Sequence, residues 1–345
     1  MPKIAILGTG WGVRIQALAF RATGWDLHAV WGRDPSKAKA AQLEYGFASA
    51  PDSWLGAVDG ADLVSITTPP MEHMAQTLAA LERGVNVLCE KPMALNALEA
   101  RAMVDAAQSS RAWALIDHEL RFLPVRQKMR DLIADGFIGE PRAAEVRLVS
   151  GSRADANRPH NWWSSRALGG GVLGAIGSHV LDGLRFVLGR EARVIGAQLS
   201  TAITKLPDSS GALRTVDSDD YAALLLDFTG VPVTVLLNMT ARQGFEDALY
   251  VHGSAGSLVL RDGLKLEGAK TGELLQNLTP PMTTVIPVGL NRNNAFEVGT
   301  VLLATYLREI IERGARPDAG ASLEDGLRVQ ELMDEVRQLA GWAKR

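Results

Sequence analysis

Ile4-Ala5-Ile6-Leu7-Gly8-Thr9-Gly10-Trp11-Gly12-Val13 is the stretch on which the reading of the whole chain turns. Four consecutive apolar residues suit a short strand buried on both faces, the glycines suit a tight turn, and a helical pattern begins near Arg14. A glycine turn between a strand and a helix brings a phosphate against the backbone, where it meets unpaired amides and the positive end of the helix. Gly8 and Gly10 stand where a dinucleotide-binding turn needs them. Val13 holds the third position of that pattern, and the extra glycine, Gly12, comes one residue early.

Outward from this turn, short β-type runs alternate with helical patterns at Lys3–Leu7, Leu27–Trp31, Leu63–Thr67, Val85–Glu90 and Trp113–Asp117. That rhythm is the mark of parallel βαβ units. Asp34-Pro35 offers an N-cap followed by a proline in the first helical turn, Gly84 is a helix stop, and Asn96 with Glu99 resembles a capping box. At the end of the second run an acidic residue normally accepts the ribose 2′-hydroxyl, but here the chain reads Trp31-Gly32-Arg33-Asp34. Gly32 removes a carboxylate that would repel a 2′-phosphate, and Arg33 supplies a guanidinium suited to one, so NADP is favoured over NAD.

Composition narrows the classes. In 345 residues, 36 Lys and Arg against 39 Asp and Glu leave a net charge of −3, which provides no electrostatic footprint for nucleic acid or an anionic membrane. The single cysteine, Cys89, cannot close an intrachain disulfide or form a Cys-x-x-Cys pair, which fits a reducing cytoplasm. No signal-peptide core precedes Gly8, and no uncharged apolar run approaches the ~18 residues of a membrane span. The six histidines show no His-Glu-x-x-His spacing, so no metal site is expected.

Beyond residue 120 the pattern changes. A helix runs from Pro124 to Asp135-Gly136 and a strand from Ala143 to Ser150, and a polar stretch, 151–166, carries His160, Trp162 and Trp163. The glycine triplet Gly169-Gly170-Gly171 opens a helix ending near Leu188. Period-two runs then follow at Val194–Ile203, Tyr221–Phe228, Val231–Thr240, Leu249–His252 and Ser257–Leu260, and helices over 295–313 and 323–343 close the chain. The expected organisation is an α/β dinucleotide-binding domain over 1–120 and, over 121–345, an α+β substrate-binding and oligomerisation domain with an open, mainly antiparallel sheet.

Asp62-Leu63-Val64-Ser65-Ile66-Thr67-Thr68-Pro69-Pro70-Met71-Glu72-His73, then Gly84-Val85-Asn86-Val87-Leu88-Cys89-Glu90-Lys91-Pro92, resembles the Gfo/Idh/MocA oxidoreductases, the group of glucose–fructose oxidoreductase and inositol dehydrogenase. Arg121-Phe122-Leu123-Pro124, the glycine triplet with His179 and Asp182, His252–Ser257 and Ser322–Gly326 extend the likeness over most of the chain. The resemblance implies a Rossmann domain binding NADP or NAD, with Gly8, Gly10, Trp11, Gly12, Val13, Gly32, Arg33, Thr68, Pro69, His73, Glu90 and Lys91 around the cofactor. It also implies a cis peptide before Pro92. A lysine at a parallel strand's carboxyl end sits where open α/β sheets bind ligands, so Lys91 is the expected proton-transfer residue, with Glu90 fixing its environment.

His179 is the expected second catalytic residue and substrate contact. The family commonly carries an Asp four residues before it, whereas this chain has Ala175. Glu119, Arg121, Trp162 and Trp163 are weaker substrate candidates, the tryptophans because a ring stacks on a sugar face. The implied reaction is hydride transfer between a nicotinamide and a sugar, polyol or related carbonyl or carbinol in a homodimer or homotetramer. Two rivals stand beside it: an NAD-dependent glycosidase or lyase working by transient oxidation, and a non-catalytic NADP-binding sensor or scaffold motivated by Ala175.

Overall fold

The computed structural model describes residues 1–342. The chain divides into two compact units, one formed by residues 1–123 with 283–327 and the other by residues 124–282 with the chain beyond 327.

In the first unit β1 (Lys3–Leu7), β2 (Asp26–Trp31), β3 (Leu63–Ile66), β4 (Asn86–Cys89) and β5 (Ala114–Ile116) form a parallel sheet in the order β2-β1-β3-β4-β5. All five expected runs are strands. Every residue of β3 is buried, as a strand covered on both faces requires. A π-type turn, Gly12–Gln16, leads into α1 (Ala17–Ala22), and α2 (Pro35–Tyr45), α3 (Trp54–Val58), α4 (His73–Glu82) and α5 (Ala97–Ser109) complete the connections. Asp34 Oδ1 accepts from the amides of Ser36 and Lys37 at 3.0 and 3.3 Å, and Asn96 caps α5 through the Glu99 amide at 3.0 Å. Both caps stand where sequence placed them. Because the chain leaves β1 first toward β2 and then toward β3, a crevice opens at the carboxyl ends of β1 and β3, the usual ligand site of such sheets.

The second unit holds α6 (Pro124–Ala134), β6 (Pro141–Val149), α7 (Ser178–Leu188), β7 (Arg193–Ser200), the hairpin β8 (Lys205–Pro207) and β9 (Leu213–Thr215), β10 (Tyr221–Phe228), β11 (Val231–Asn238), β12 (Glu246–Gly253), β13 (Gly256–Arg261), β14 (Lys265–Lys270) and β15 (Gln276–Asn277). Its eight-stranded sheet has the order β15-β14-β13-β12-β6-β11-β10-β7. Only β6 and β11 pair in parallel; the other pairings are antiparallel. The Thr229-Gly230 link between β10 and β11 has positive φ at both residues, 50° and 88°, the type of two-residue turn that matches strand twist. Burial alternates strictly along the first five residues of β11, so one face of the sheet is covered and the other is open.

The chain then returns to the first unit with α8 (Ala295–Glu312), β16 (Ala321–Ser322) and the first residues of α9 (Leu323–Leu339). β16 pairs antiparallel with β5 and ends the first sheet. Leu303, Ala304, Leu307 and Ile310 of α8 share a buried cluster with Ile4, Ile6, Phe20 and Trp25, and the Trp25 indole donates to the Ala304 carbonyl at 3.0 Å. A linear division at 120/121 therefore differs from the compact units. An apolar helix face shows that a helix is buried but not against which sheet. The closing helix over 323–343 is α9, and residue 343 lies outside the described residues. Residues 166–188 are long and apolar enough to span a membrane by composition alone, but 78% of their most apolar 18-residue window is buried within the fold, and the stretch carries His179 and Asp182.

Candidate active site

The phosphate turn is shaped by Thr67, the residue after β3. Its Oγ1 and amide both donate to the Leu7 carbonyl, at 3.0 and 2.8 Å, which lays Thr67 against the turn. A Cβ on Gly8, whose φ is +129°, would lie 2.7 Å from the Thr67 carbonyl oxygen, and one on Gly12 would lie 2.6 Å from the Thr67 methyl. Both positions exclude side chains for packing reasons. At Gly10 the same construction meets nothing within 4 Å. Gly10 is thus the glycine kept open toward a ligand, and the helix behind it offers amides to a phosphate. Trp11 is exposed beside it, whereas Val13 is 3% exposed and belongs to the core. The Val13 side chain is withdrawn as a cofactor contact; its apolar isopropyl group is spent on packing.

At the end of β2, a Cβ on Gly32 would lie 2.6 Å from the Thr9 methyl, so the ribose-binding acid has no room there. Asp34, the nearest carboxylate, is committed to capping α2, and Arg33 is exposed.

Across the crevice Thr68 donates to the Gln76 side chain at 2.7 Å, and Pro69 starts the short turn into α4. His73 is 1% exposed, with Nε2 2.7 Å from the Thr68 carbonyl and Nδ1 3.1 Å from the Pro92 carbonyl. Burial pushes its pKa down to about 4, so the ring is neutral at pH 7. His73 is a staple between the loops after β3 and β4 and not a cofactor contact, because both ring nitrogens already face backbone carbonyls. The peptide between Lys91 and Pro92 is cis.

Lys91 is half-buried just past β4, and its amide donates to Glu90 Oε2 at 3.3 Å. Around it lies a polar network that sequence reading missed. Gln16, wholly buried, donates from Nε2 to Asp117 Oδ2 at 2.7 Å and to Glu90 Oε1 at 3.3 Å, while its Oε1 accepts from Ser65 at 2.5 Å. The two carboxylate oxygens that share this amide are no more than about 6 Å apart, where full charges repel by about 3 kcal/mol at an effective dielectric of 20. Glu90, Asp117 and Glu119 are all buried, and burial raises the carboxyl pKa of each; mutual repulsion adds to this at Asp117 and Glu119, and the Lys91 ammonium opposes it at all three. One signal was present in sequence: Gln16 is a polar residue on the helical face that also carries Val13, Ala17 and Phe20. Arg121 is bound instead to Asp325 at 3.0 Å and to the Gly320 carbonyl at 3.0 Å, ordering the turn before α9.

In the second unit the glycine triplet is pressed onto its neighbours. A Cβ on Gly170 would lie 2.6 Å from the Trp162 carbonyl, and one on Gly171, φ +108°, 2.8 Å from the Asp219 carboxyl carbon. Trp162 and Trp163 are half-buried, 6.0 Å apart, and the Arg153 guanidinium lies 3.7 Å over the Trp163 ring. His160 is held to the β8–β9 hairpin through the Thr215 carbonyl at 3.2 Å. His179 and Asp182 are buried on α7, 4% and 2% exposed. Ala175 lies in a π-type turn, Leu173–Gly177, which takes more residues per turn than an α-helix. Four-residue spacing therefore does not put Ala175 directly beneath His179 as it would in a regular α-helix.

Asp219, also missed, accepts from the Leu173 amide at 2.7 Å and so caps this helix. Burial pushes its pKa up to about 6 from an ordinary 3.8. A raised acid pKa means the folded protein binds the proton more tightly than the unfolded chain, so this group's contribution falls as pH rises from about 4 to about 6, by about 3 kcal/mol in all. Asp219→Asn, which keeps an acceptor for Leu173, is expected to remove that slope in urea unfolding, and Asp219→Ala removes it too while lying about 1–3 kcal/mol below Asp219→Asn at every pH because the Leu173 amide loses its partner. A slope unchanged in Asp219→Asn would contradict the assignment.

Fold and site together define a dinucleotide-binding chain with an appended α+β unit built around a glycine-rich helix. Residues 2–118 match the model for the oxidoreductase family with an NAD-binding Rossmann fold, and residues 126–259 match the GFO/IDH/MocA C-terminal domain. The chain belongs to the Gfo/Idh/MocA oxidoreductase family. It is 31% identical to an uncharacterized oxidoreductase of Synechocystis, over 97% of this chain and 93% of that one. It is also 31% identical to glucose-fructose oxidoreductase domain-containing protein 2 of Xenopus laevis, over 98% and 91%. A levoglucosan dehydrogenase in complex with NADH and levoglucosan shares the fold at a TM-score of 0.88 and 23% identity, over 99% of this chain and 97% of that one. Among the described residues no group of His, Cys, Asp and Glu is arranged to hold a metal ion.

Proposed function

We propose that this oxidoreductase is an NADP-linked dehydrogenase or reductase acting on a CH–OH carbon of a sugar, polyol or related compound. The carrying observation is the crevice at the carboxyl ends of β1, β3 and β4, where open Gly10 faces the helix amides and Lys91 follows β4. The residues present fit a dinucleotide: room at Gly10 for a phosphate, amides behind it, and an exposed Arg33 with no acid at Gly32. When bound, the cofactor supplies hydride transfer at C4 of its nicotinamide ring. Lys91 takes the substrate hydroxyl proton in oxidation and returns it in reduction, and Glu90 fixes its position. We assign His179, Trp162 and Trp163 to the substrate. The levoglucosan bound to the structural relative supports a sugar-like substrate class.

Parallel equilibrium titrations with NADPH and NADH at one ionic strength test the cofactor reading. NADPH is expected to bind more tightly, and Arg33→Ala to weaken it by about 10–100-fold, the value of a charge-assisted contact, leaving NADH unchanged. Tight NADH binding without that preference refutes the 2′-phosphate assignment. Screening sugars and polyols for cofactor reduction, with product analysis, tests the reaction.

A further inference from the structure

We propose that Glu90, Asp117 and Glu119 form a proton-holding site that senses the charge of the nicotinamide: arrival of the oxidised, cationic ring drives a proton out to solvent, and arrival of the reduced, neutral ring does not. The inference rests on the cofactor reading above, which puts that ring at the carboxyl end of the sheet, beside Lys91.

Three features make this more than an acidic patch. First, two of the carboxyls are tethered: Gln16 Nε2 spans Asp117 and Glu90, and Ser65 fixes the other end of the Gln16 amide. Second, Asp117 Oδ1 and Glu119 Oε2 are enclosed and accept no hydrogen bond, on residues only 2% and 3% exposed. Bare oxygens of this kind are costly as anions and inexpensive as protonated acids. Third, α8 covers part of the cluster. A Cβ on Gly299 of α8 would lie 2.8 Å from the Glu119 carbonyl, so the α8 backbone closes over this residue.

Asp117 feels the Glu90 carboxylate and Lys91, and Glu119 feels Asp117, Glu90 and Lys91. Of the elements packed around it, the π-type turn contributes neutral Gln16, α4 contributes His73, neutral through burial, and α8 contributes Gly299. His118 stands between Asp117 and Glu119, and Arg121 is paired with Asp325. Full ionisation of all three acids places three negative charges in a buried site, which burial resists. A cationic ring nearby offsets that charge, an O–H bond of the cluster breaks, and the proton passes to water.

The test is isothermal titration of the intact protein with NADP⁺ and NADPH, and with NAD⁺ and NADH, at pH 7 in phosphate and in Tris. The difference in apparent enthalpy between two buffers of unlike ionisation enthalpy counts protons exchanged. Oxidised cofactor is expected to release protons and to bind more tightly as pH rises, by up to about tenfold per pH unit, while the reduced form shows neither effect. Asp117→Asn and, independently, Glu119→Gln are expected to reduce the release, whereas Lys91→Met retains it. Equal proton counts for the two redox states, or release lost in Lys91→Met and unchanged in both acid variants, overturns the proposal while leaving the cofactor reading intact. Failure of every cofactor to bind overturns that reading, and the proposal with it.

Discussion

Lys91→Met is expected to lower turnover by about 10²–10⁴-fold, the usual contribution of a positioned acid–base group, with cofactor affinity nearly unchanged. Methionine keeps an unbranched, flexible stem and so preserves the packing of a half-buried side chain while deleting the amine. The backbone amide of residue 91 still donates to Glu90, because that bond does not involve the side chain. The loop after β4 is also held from the other side by His73 through the Pro92 carbonyl, so collapse of the loop is not a competing explanation for lost activity. Single-turnover kinetics with any accepted substrate check the expectation. Near-normal turnover in the variant would remove Lys91 from the chemistry.

Gly8→Ala and Gly10→Ala, two residues apart in one motif, are expected to fail in different ways. At position 8 a methyl group meets the Thr67 backbone at φ +129°, and strain together with overpacking costs about 2–6 kcal/mol, so the first unit loses stability whether or not cofactor is present. No substitution of the Thr67 side chain rescues it, because the overlap includes that residue's carbonyl. At position 10 the methyl group meets only open space, so the melting temperature without cofactor stays near that of the wild type. There the loss falls on binding, by about tenfold or more, since a methyl group holds the pyrophosphate off the helix amides. Thermal unfolding with and without NADPH separates the two variants. Equal behaviour in both would show that the motif is a single structural turn.

Much of the first sheet was legible from residues alone. Ile4–Leu7 and Leu63–Ile66 are unbroken apolar runs, and only a strand covered on both faces makes sense of such short ones. Asp34 and Asn96 capped the helices they were read to cap, since a cap is a local interaction between neighbours in sequence. β14, Lys-Leu-Glu-Gly-Ala-Lys, escaped notice because glycine takes an inward place and leaves little alternation to see. The hairpin Lys205–Thr215 escaped because its strands have three residues each. The Gln16–Asp117–Glu90 network joins residues 74 and 101 positions apart, a separation at which no pattern in one sequence operates. His73 was read as a site residue from the family resemblance; its burial, with both ring nitrogens against backbone carbonyls, is a contact between loops distant in sequence that no local pattern announces.

The return of residues 283–327 to the first unit sets an order on the birth of the molecule. As the chain leaves the ribosome, the glycine turn and the first five strands emerge early, yet Phe20 and Trp25 stay without Ala304 and Leu307 until about 190 further residues have been made. All of residues 124–282 can fold in that interval as an insertion between the two halves of its neighbour. The nucleotide-binding half of this protein is thus begun first and closed only after most of its neighbour has been made, and a chain stopped at residue 282 carries the phosphate turn on a sheet that lacks the α8 part of its apolar cover.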